Sequence, residues 1–132
     1  MNLFDKVYVI NLKRRPDKLA RMMDELAKHE VLGSIPVEII PGVDGKTEIN
    51  DDFLAANNYK IYDKWSDPWW GRSISMGEIG CGITHHKIWE QVKKEKETVL
   101  VIEDDIVFEN EFLNKSTEIA PDAQKEGFEF LY

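Results

Sequence analysis

Lys6 to Leu12 (KVYVINL) is an almost unbroken run of apolar and β-branched residues. A strand with one wet face alternates apolar and polar side chains, whereas a continuous run fits a strand covered on both faces, as in a parallel sheet. Parallel neighbours cannot be joined by a hairpin, so a helical crossover should follow. Pro16 suits a first helical turn, Asp17 complements its positive end, and Leu19, Met22, Met23 and Leu26 make one apolar stripe. These features predict a helix over about Pro16 to Lys28. Val37 to Ile40, held between Pro36 and Pro41 and followed by the turn Gly42 to Gly45 (GVDG), predicts a second strand. Asp51 to Asn58 reads as a short helix. Tyr59 to Arg72, with Trp65, Trp69 and Trp70 around Pro68, reads as a long ordered loop.

Ser75 precedes Glu78 at the spacing of a capping box, and Ile79, Ile83, Ile88, Trp89 and Val92 extend a helix to about Lys94. Gly77, Gly80 and Gly82 each cost roughly 1 kcal/mol relative to alanine inside a helix, which predicts a close approach to that backbone. Thr98 to Ile102 is another continuous apolar strand and runs into three acids, Glu103, Asp104 and Asp105; Phe128 to Tyr132 reads as a last strand. Strands alternating with helices imply right-handed crossovers and an α/β fold, a mainly parallel sheet flanked by helices. At 132 residues the whole chain, 1–132, is expected to form one domain.

With 17 Lys and Arg against 25 Asp and Glu, the net charge of −8 works against nonspecific attraction to nucleic acid or anionic membrane. An anionic ligand would therefore need a local basic patch or a metal ion. No apolar run approaches the roughly 20 residues of a membrane span, and Met1 to Asp5 lacks the pattern of a secretory signal. Cys81, the single cysteine, cannot form an internal disulfide and is expected to be a small buried apolar residue. The expected location is cytoplasmic, with peripheral attachment to a membrane left open.

Ligands of parallel α/β sheets bind at the carboxyl ends of the strands, which here carry Asn11 to Arg15, Asp44 with Gly45, and Glu103 to Asp105. Like charges a few ångströms apart disfavour joint ionisation, and a divalent cation relieves that repulsion. An oxygen donor set suits magnesium or manganese; a solvated strand end is the alternative. Strand alternation places Glu103 and Asp105 on one side and Asp104 on the other. Lys13, Arg14 and Arg15 lie on the first strand-to-helix loop, where a pyrophosphate would dock, although a surface run paired with acids explains them too. Glu78 and His85 share a helix face, but capping alone accounts for Glu78. His85 and His86 lack further ligands at zinc spacing, so zinc is not expected. Trp69 and Trp70 suit stacking on a sugar or base, with loop anchoring the favoured role.

The pieces VYVINLKRRPDKL, GVDG, GEIGCGITHHKIW and VLVIEDDIVF, in that order, resemble glycosyltransferase family 25, which includes bacterial lipopolysaccharide galactosyltransferases and collagen galactosyltransferases. The resemblance spans nearly the whole chain. It implies a GT-A-type, Rossmann-like fold, a nucleotide-sugar donor such as UDP-galactose or another UDP-hexose, a glycan or lipopolysaccharide-type acceptor, Mn2+ or Mg2+, and inversion at the anomeric carbon. Carried onto matching positions, it implies Asn11, Arg14 and Arg15 by the nucleotide, Asp44 and Gly45 in the donor pocket, and His85 beside it. Glu103 and Asp105 would hold the metal and Asp104 the ribose, while Glu78 is the candidate catalytic base and Asp105 the catalytic metal contact. Where the family more often has alanine, leucine or serine this chain has Gly80, Gly82 and Thr84, which should loosen the helix. Family members continue for many tens of residues past the position of Tyr132, so the expectation is a donor-binding portion without the acceptor side. An inactive remnant is the alternative. A receiver-type phosphoacceptor domain is disfavoured, because its acidic pair should follow the first strand, where Lys13 to Arg15 stand.

Overall fold

A computed structural model describes residues 3–127 of the chain. Strands β1 (Lys6–Asn11), β2 (Val37–Pro41) and β3 (Val99–Glu103) form one sheet in the order β2-β1-β3, with both pairings parallel. Helices α1 (Pro16–Ala27) and α2 (Glu30–Ser34) connect β1 to β2, α3 (Asp51–Ala56) and α4 (Met76–Glu95) connect β2 to β3, and α5 (Phe112–Glu126) follows β3. The α/β class and the parallel sheet are those the periodicity predicts. Helices α2 and α5 are additions, and the strand expected at Phe128 to Tyr132 lies outside the described residues.

The central strand explains its own composition. Val7, Tyr8 and Val9 are fully buried. Val7 and Val9 pack with Met22 and Leu26 of α1, Leu32 of α2, and Ile102 and Phe108 on the β3 side. Tyr8 points the other way, and its hydroxyl donates to Glu95 Oε2 at 2.6 Å and accepts from Gln91 Nε2 at 2.9 Å, both on α4. Because successive strand side chains alternate faces, α1 and α4 cover opposite sides of β1. The chain steps from β1 to β2 on one side and then returns to β3 on the other. Strand order thus reverses at β1, which makes the crevice beyond its carboxyl end the expected ligand site.

Helix α4 is seated by the GVDG turn. The capping box is present: Ser75 Oγ accepts from the Glu78 amide at 3.2 Å, and Glu78 Oε2 accepts from the Ser75 amide at 2.8 Å. The buried Thr84 hydroxyl donates to the Gly80 carbonyl at 2.7 Å and accepts from the Val43 amide at 2.9 Å. A Cβ on Gly80 would run into the Val43 carbonyl oxygen, and one on Gly45 into the Met76 carbonyl. The predicted close approach therefore holds at Gly80. It does not hold at Gly82, which has open space beside it, or at Gly77, whose one neighbour at 3.9 Å is an ordinary contact. Gly80 and Thr84 do not loosen the helix; they are the two positions that grip the turn.

Two further expectations are corrected. Trp69 and Trp70 are 88% and 79% exposed, so they do not anchor the loop. Asp67 does: its Oδ1 accepts from the Trp69 and Trp70 amides at 2.9 and 2.7 Å, an arrangement that fixes backbone and leaves the rings in water. Cys81 is exposed, not buried, because it lies on the α4 face turned toward the end of β3. Among the described residues no helix is long and apolar enough to cross a membrane.

Candidate functional site

Asn11 ends β1 and is 6% exposed; Asp104 follows β3 and is 8% exposed. Asn11 Nδ2 donates to Asp104 Oδ2 at 2.6 Å and to the Arg15 carbonyl at 2.9 Å. One amide thereby joins the two strand ends across the crevice and fixes the basic loop between them. Basic residues of α1 secure the acidic side. Lys18 Nζ lies 3.1 Å from Asp105 Oδ2 and 3.8 Å from Asp104 Oδ1, while Arg21 Nη2 donates to the Asp104 carbonyl at 2.8 Å. Lys18 and Arg21 stand three residues apart on α1 and so share one face, a spacing visible in the sequence.

Strand alternation predicts Glu103 and Asp105 on one side and Asp104 on the other; instead Lys18 reaches both Asp104 and Asp105 while Glu103 faces α4, because the strand ends at Glu103 and the chain turns after it. Asp104 turns inward to Asn11, and Asp105 is exposed beside Lys18. Glu103 faces α4, where its Oε1 accepts from Cys81 Sγ at 3.4 Å and lies 3.2 Å from His85 Nε2. Partial desolvation of the sulfur, then the neighbouring Glu103, push the Cys81 thiol up to about 11 although the residue as a whole is exposed. The spacing of the single cysteine four residues before a histidine was available in the sequence; the third member, 18 residues after His85, was not.

On the β2 side, Arg14 Nε donates to Asp44 Oδ2 at 2.5 Å, and Asp44 Oδ1 accepts from the Lys46 amide at 3.0 Å. The Arg14 guanidinium holds the Asp44 carboxyl below its ordinary range. A cavity of about 390 Å³ opens here, lined by Lys13, Arg14, Pro41, Asp44, Thr84 and Lys87. Its cations suit an anionic ligand, and Glu103 to Asp105 do not line it. Gly45 sits behind it, under the first turn of α4. Arg15 turns away and grips Asp17 through two contacts at 2.9 and 2.7 Å.

Glu78 stands apart from both clusters in its contacts. Its two carboxylate oxygens receive Arg72 Nη1 and Nη2 at 2.8 and 2.9 Å, a bidentate pair, in addition to the cap on Ser75. Arg72, then the Ser75 amide, hold its carboxyl far below the ordinary 4.5. A carboxylate so stabilised is a weak proton acceptor. Glu78, Asp44 and Asp17, the last lowered to about 2 by Arg15, all have depressed folded-state values. Their contribution to stability is complete above the ordinary carboxylate range and is lost as pH falls through the folded values. The melting temperature should therefore be flat from about pH 8 to about pH 5 and fall progressively below that. Arg72→Gln should lower the value at neutral pH slightly and make the acid limb shallower by the same small amount, since the pair is solvent-exposed; a scan of melting temperature against pH checks both.

The family model described as glycosyltransferase family 25 (LPS biosynthesis protein) matches residues 4–132. Procollagen galactosyltransferase 2 of Mus musculus is 40% identical over 123 residues, covering 92% of this chain and 19% of the relative. Its counterpart in Homo sapiens is 42% identical over 113 residues, covering 85% of this chain and 17% of the relative. A probable inactive glycosyltransferase 25 family member 3 of Rattus norvegicus is 36% identical over 132 residues, covering 98% of this chain and 22% of the relative. The chain thus spans about a fifth of the length of these relatives. No solved structure matches it significantly. With a family model covering the chain from residue 4 onward, and its basic loop, GVDG turn and acidic strand end brought to one edge of a parallel sheet, the chain belongs to glycosyltransferase family 25.

Proposed function

We propose that this chain is the nucleotide-sugar-binding portion of a hexosyltransferase, built on a GT-A-type sheet and using a UDP-hexose such as UDP-galactose as donor. The observation that carries this reading is the Asn11–Asp104 bridge, which ties the basic loop after β1 to the acids after β3 at one edge of the sheet. That is the arrangement a nucleoside diphosphate needs, cations for its phosphates and carboxylates for a ribose hydroxyl or a divalent ion. Lys13 and Arg14, which line the cavity beside Asp44, would meet phosphate oxygens, Arg14 exchanging its contact with Asp44 for them. Asp104, oriented by Asn11 but buried, would accept from a sugar hydroxyl only where the ligand displaces its Lys18 contact.

A hard cation would draw on the carboxylates of Glu103 and Asp105, which here face α4 and α1 respectively and would have to turn toward each other to share an ion. Among the described residues Asp105 is paired with half-buried Lys18, a contact that a cation would displace. When bound there, Mn2+ or Mg2+ would supply charge neutralisation for the departing diphosphate. Inverting transfer to a glycan or lipopolysaccharide-type acceptor also needs a base facing the acceptor hydroxyl. Glu78 would take that role only after release from Arg72.

This pairing of Glu78 favours a second reading, a donor-binding remnant without turnover; relatives described as inactive members of the same family are consistent with it. UDP with Mn2+ should raise the melting temperature of the chain by several degrees, and Asp105→Asn should abolish the rise; no shift with any nucleoside diphosphate would overturn donor binding. Donor binding without sugar transfer or donor hydrolysis would select the second reading.

A further inference from the structure

Cys81 and His85 stand one turn apart on α4, so their side chains share a face, and Glu103 closes β3 opposite them. The sulfur, Nε2 and Oε1 all lie within 4.8 Å of one another. In a tetrahedral zinc site, bond lengths of about 2.3 Å to sulfur and about 2.0–2.1 Å to nitrogen and oxygen put neighbouring donors roughly 3.5 Å apart for S and O and roughly 3.3 Å for N and O. The observed separations are 3.4 Å for Cys81 Sγ to Glu103 Oε1 and 3.2 Å for His85 Nε2 to the same oxygen. Two edges of a coordination tetrahedron are therefore already at length, and the sulfur-to-nitrogen edge lies within 4.8 Å.

We propose that Cys81, His85 and Glu103 form a three-ligand site for a borderline-soft divalent cation of the zinc class, with water in the fourth position. A thiolate and an imidazole select zinc or cobalt over magnesium or manganese, which favour shells of oxygen. The site is thus chemically distinct from the all-oxygen pair Glu103 and Asp105. Loading breaks the Cys81 S–H bond and releases its proton to water; the thiolate and the neutral His85 Nε2 each donate an electron pair to the cation, and Glu103 exchanges its two contacts for a bond to the ion. Exposure of Cys81 gives the cation an entry path. One consequence rests on the donor-binding reading: a zinc-class ion would withdraw Glu103 from any hard cation and so oppose donor binding.

The site itself is tested without nucleotide. Titrating Co2+ into the chain should give one equivalent of binding, with a near-ultraviolet thiolate-to-cobalt charge-transfer band and the intense visible bands of a four-coordinate ion, and Zn2+ should bleach both. Cys81→Ser should remove the charge-transfer band, and His85→Ala and Glu103→Gln should each weaken binding at least about tenfold. Far-ultraviolet circular dichroism checks that each variant is folded, and His85→Gln repeats the test with a side chain closer in size. Absence of the charge-transfer band at stoichiometric cobalt, or a dissociation constant unmoved by both His85→Gln and Glu103→Gln, would overturn the proposal. Since no nucleotide is present, either result leaves the UDP and Mn2+ measurement to stand or fall separately.

Discussion

Gly80→Ala should lower the melting temperature by roughly 6–10 °C, while Gly82→Ala, two residues on in the same helix, should raise it by a few degrees. On helix propensity alone both substitutions gain about 1 kcal/mol. Their surroundings decide the sign. A methyl group on Gly80 meets the Val43 carbonyl and approaches the Gly45 amide, both backbone atoms of a turn tied to α4 by Thr84, so no flexible side chain is available to move aside. Overpacking of this kind costs up to about 3 kcal/mol, which leaves a net loss of about 2 after the propensity gain. Gly82 has nothing near it, and the propensity gain stands. Gly45→Ala, with the same kind of backbone collision and no helical gain, should cost more than Gly80→Ala. Displacing the turn also moves Asp44 from Arg14, so Gly80→Ala should weaken the response to UDP as well as stability. Thermal unfolding followed by circular dichroism decides it; shifts of the same sign at positions 80 and 82 would refute the close-packed turn.

The glycine pattern also shows what the sequence makes legible. Three helix-interior glycines announced a close approach, but which of them faces it depends on how α4 is rotated against the sheet, a tertiary fact absent from local spacing. Strand β1 is legible because burial on both faces demands a continuous apolar run, β3 because its run is equally apolar although only Ile102 is buried, and α4 because Ser75 and Glu78 form a cap detectable from spacing alone. Helix α2 has five residues with a glycine among them, and α5 carries Pro121 in its interior, so neither shows the uninterrupted period that identifies a helix. The same division runs through the candidate site. Acids at the end of β3 and bases after β1 follow from the strand boundaries. The grouping of Cys81 and His85 with Glu103, and of Arg72 with Glu78, required the docked helix and the folded loop.

Asp104→Ala should destabilise the chain by about 2–3 kcal/mol, whereas Asp105→Ala, at the next residue, should change stability by less than about 0.5 kcal/mol. The difference lies in where the two side chains point. Among the described residues no buried side-chain nitrogen or oxygen lacks a partner, and at this position that balance depends on a single amide. Removing the Asp104 carboxylate leaves one Asn11 Nδ2 hydrogen buried and unpaired, since its other bond goes to the Arg15 carbonyl. The full desolvation cost of that group then remains. Asp105 has a side chain 57% exposed and one ion pair with Lys18, the kind of contact that contributes little in water. Asp104→Asn, which keeps an oxygen for Asn11 to donate to, should recover more than half of the loss. Asn11→Ala and Asp104→Ala should be strongly non-additive in a double-mutant cycle, because each removes the same bond. The nucleotide response separates the acids a second way: Asp105→Asn should lose the response to UDP with Mn2+ at nearly unchanged stability, and Asp104→Ala should lose both. Equal losses of stability at positions 104 and 105 would mean that the bridge across the β1/β3 crevice does not hold the strand ends together.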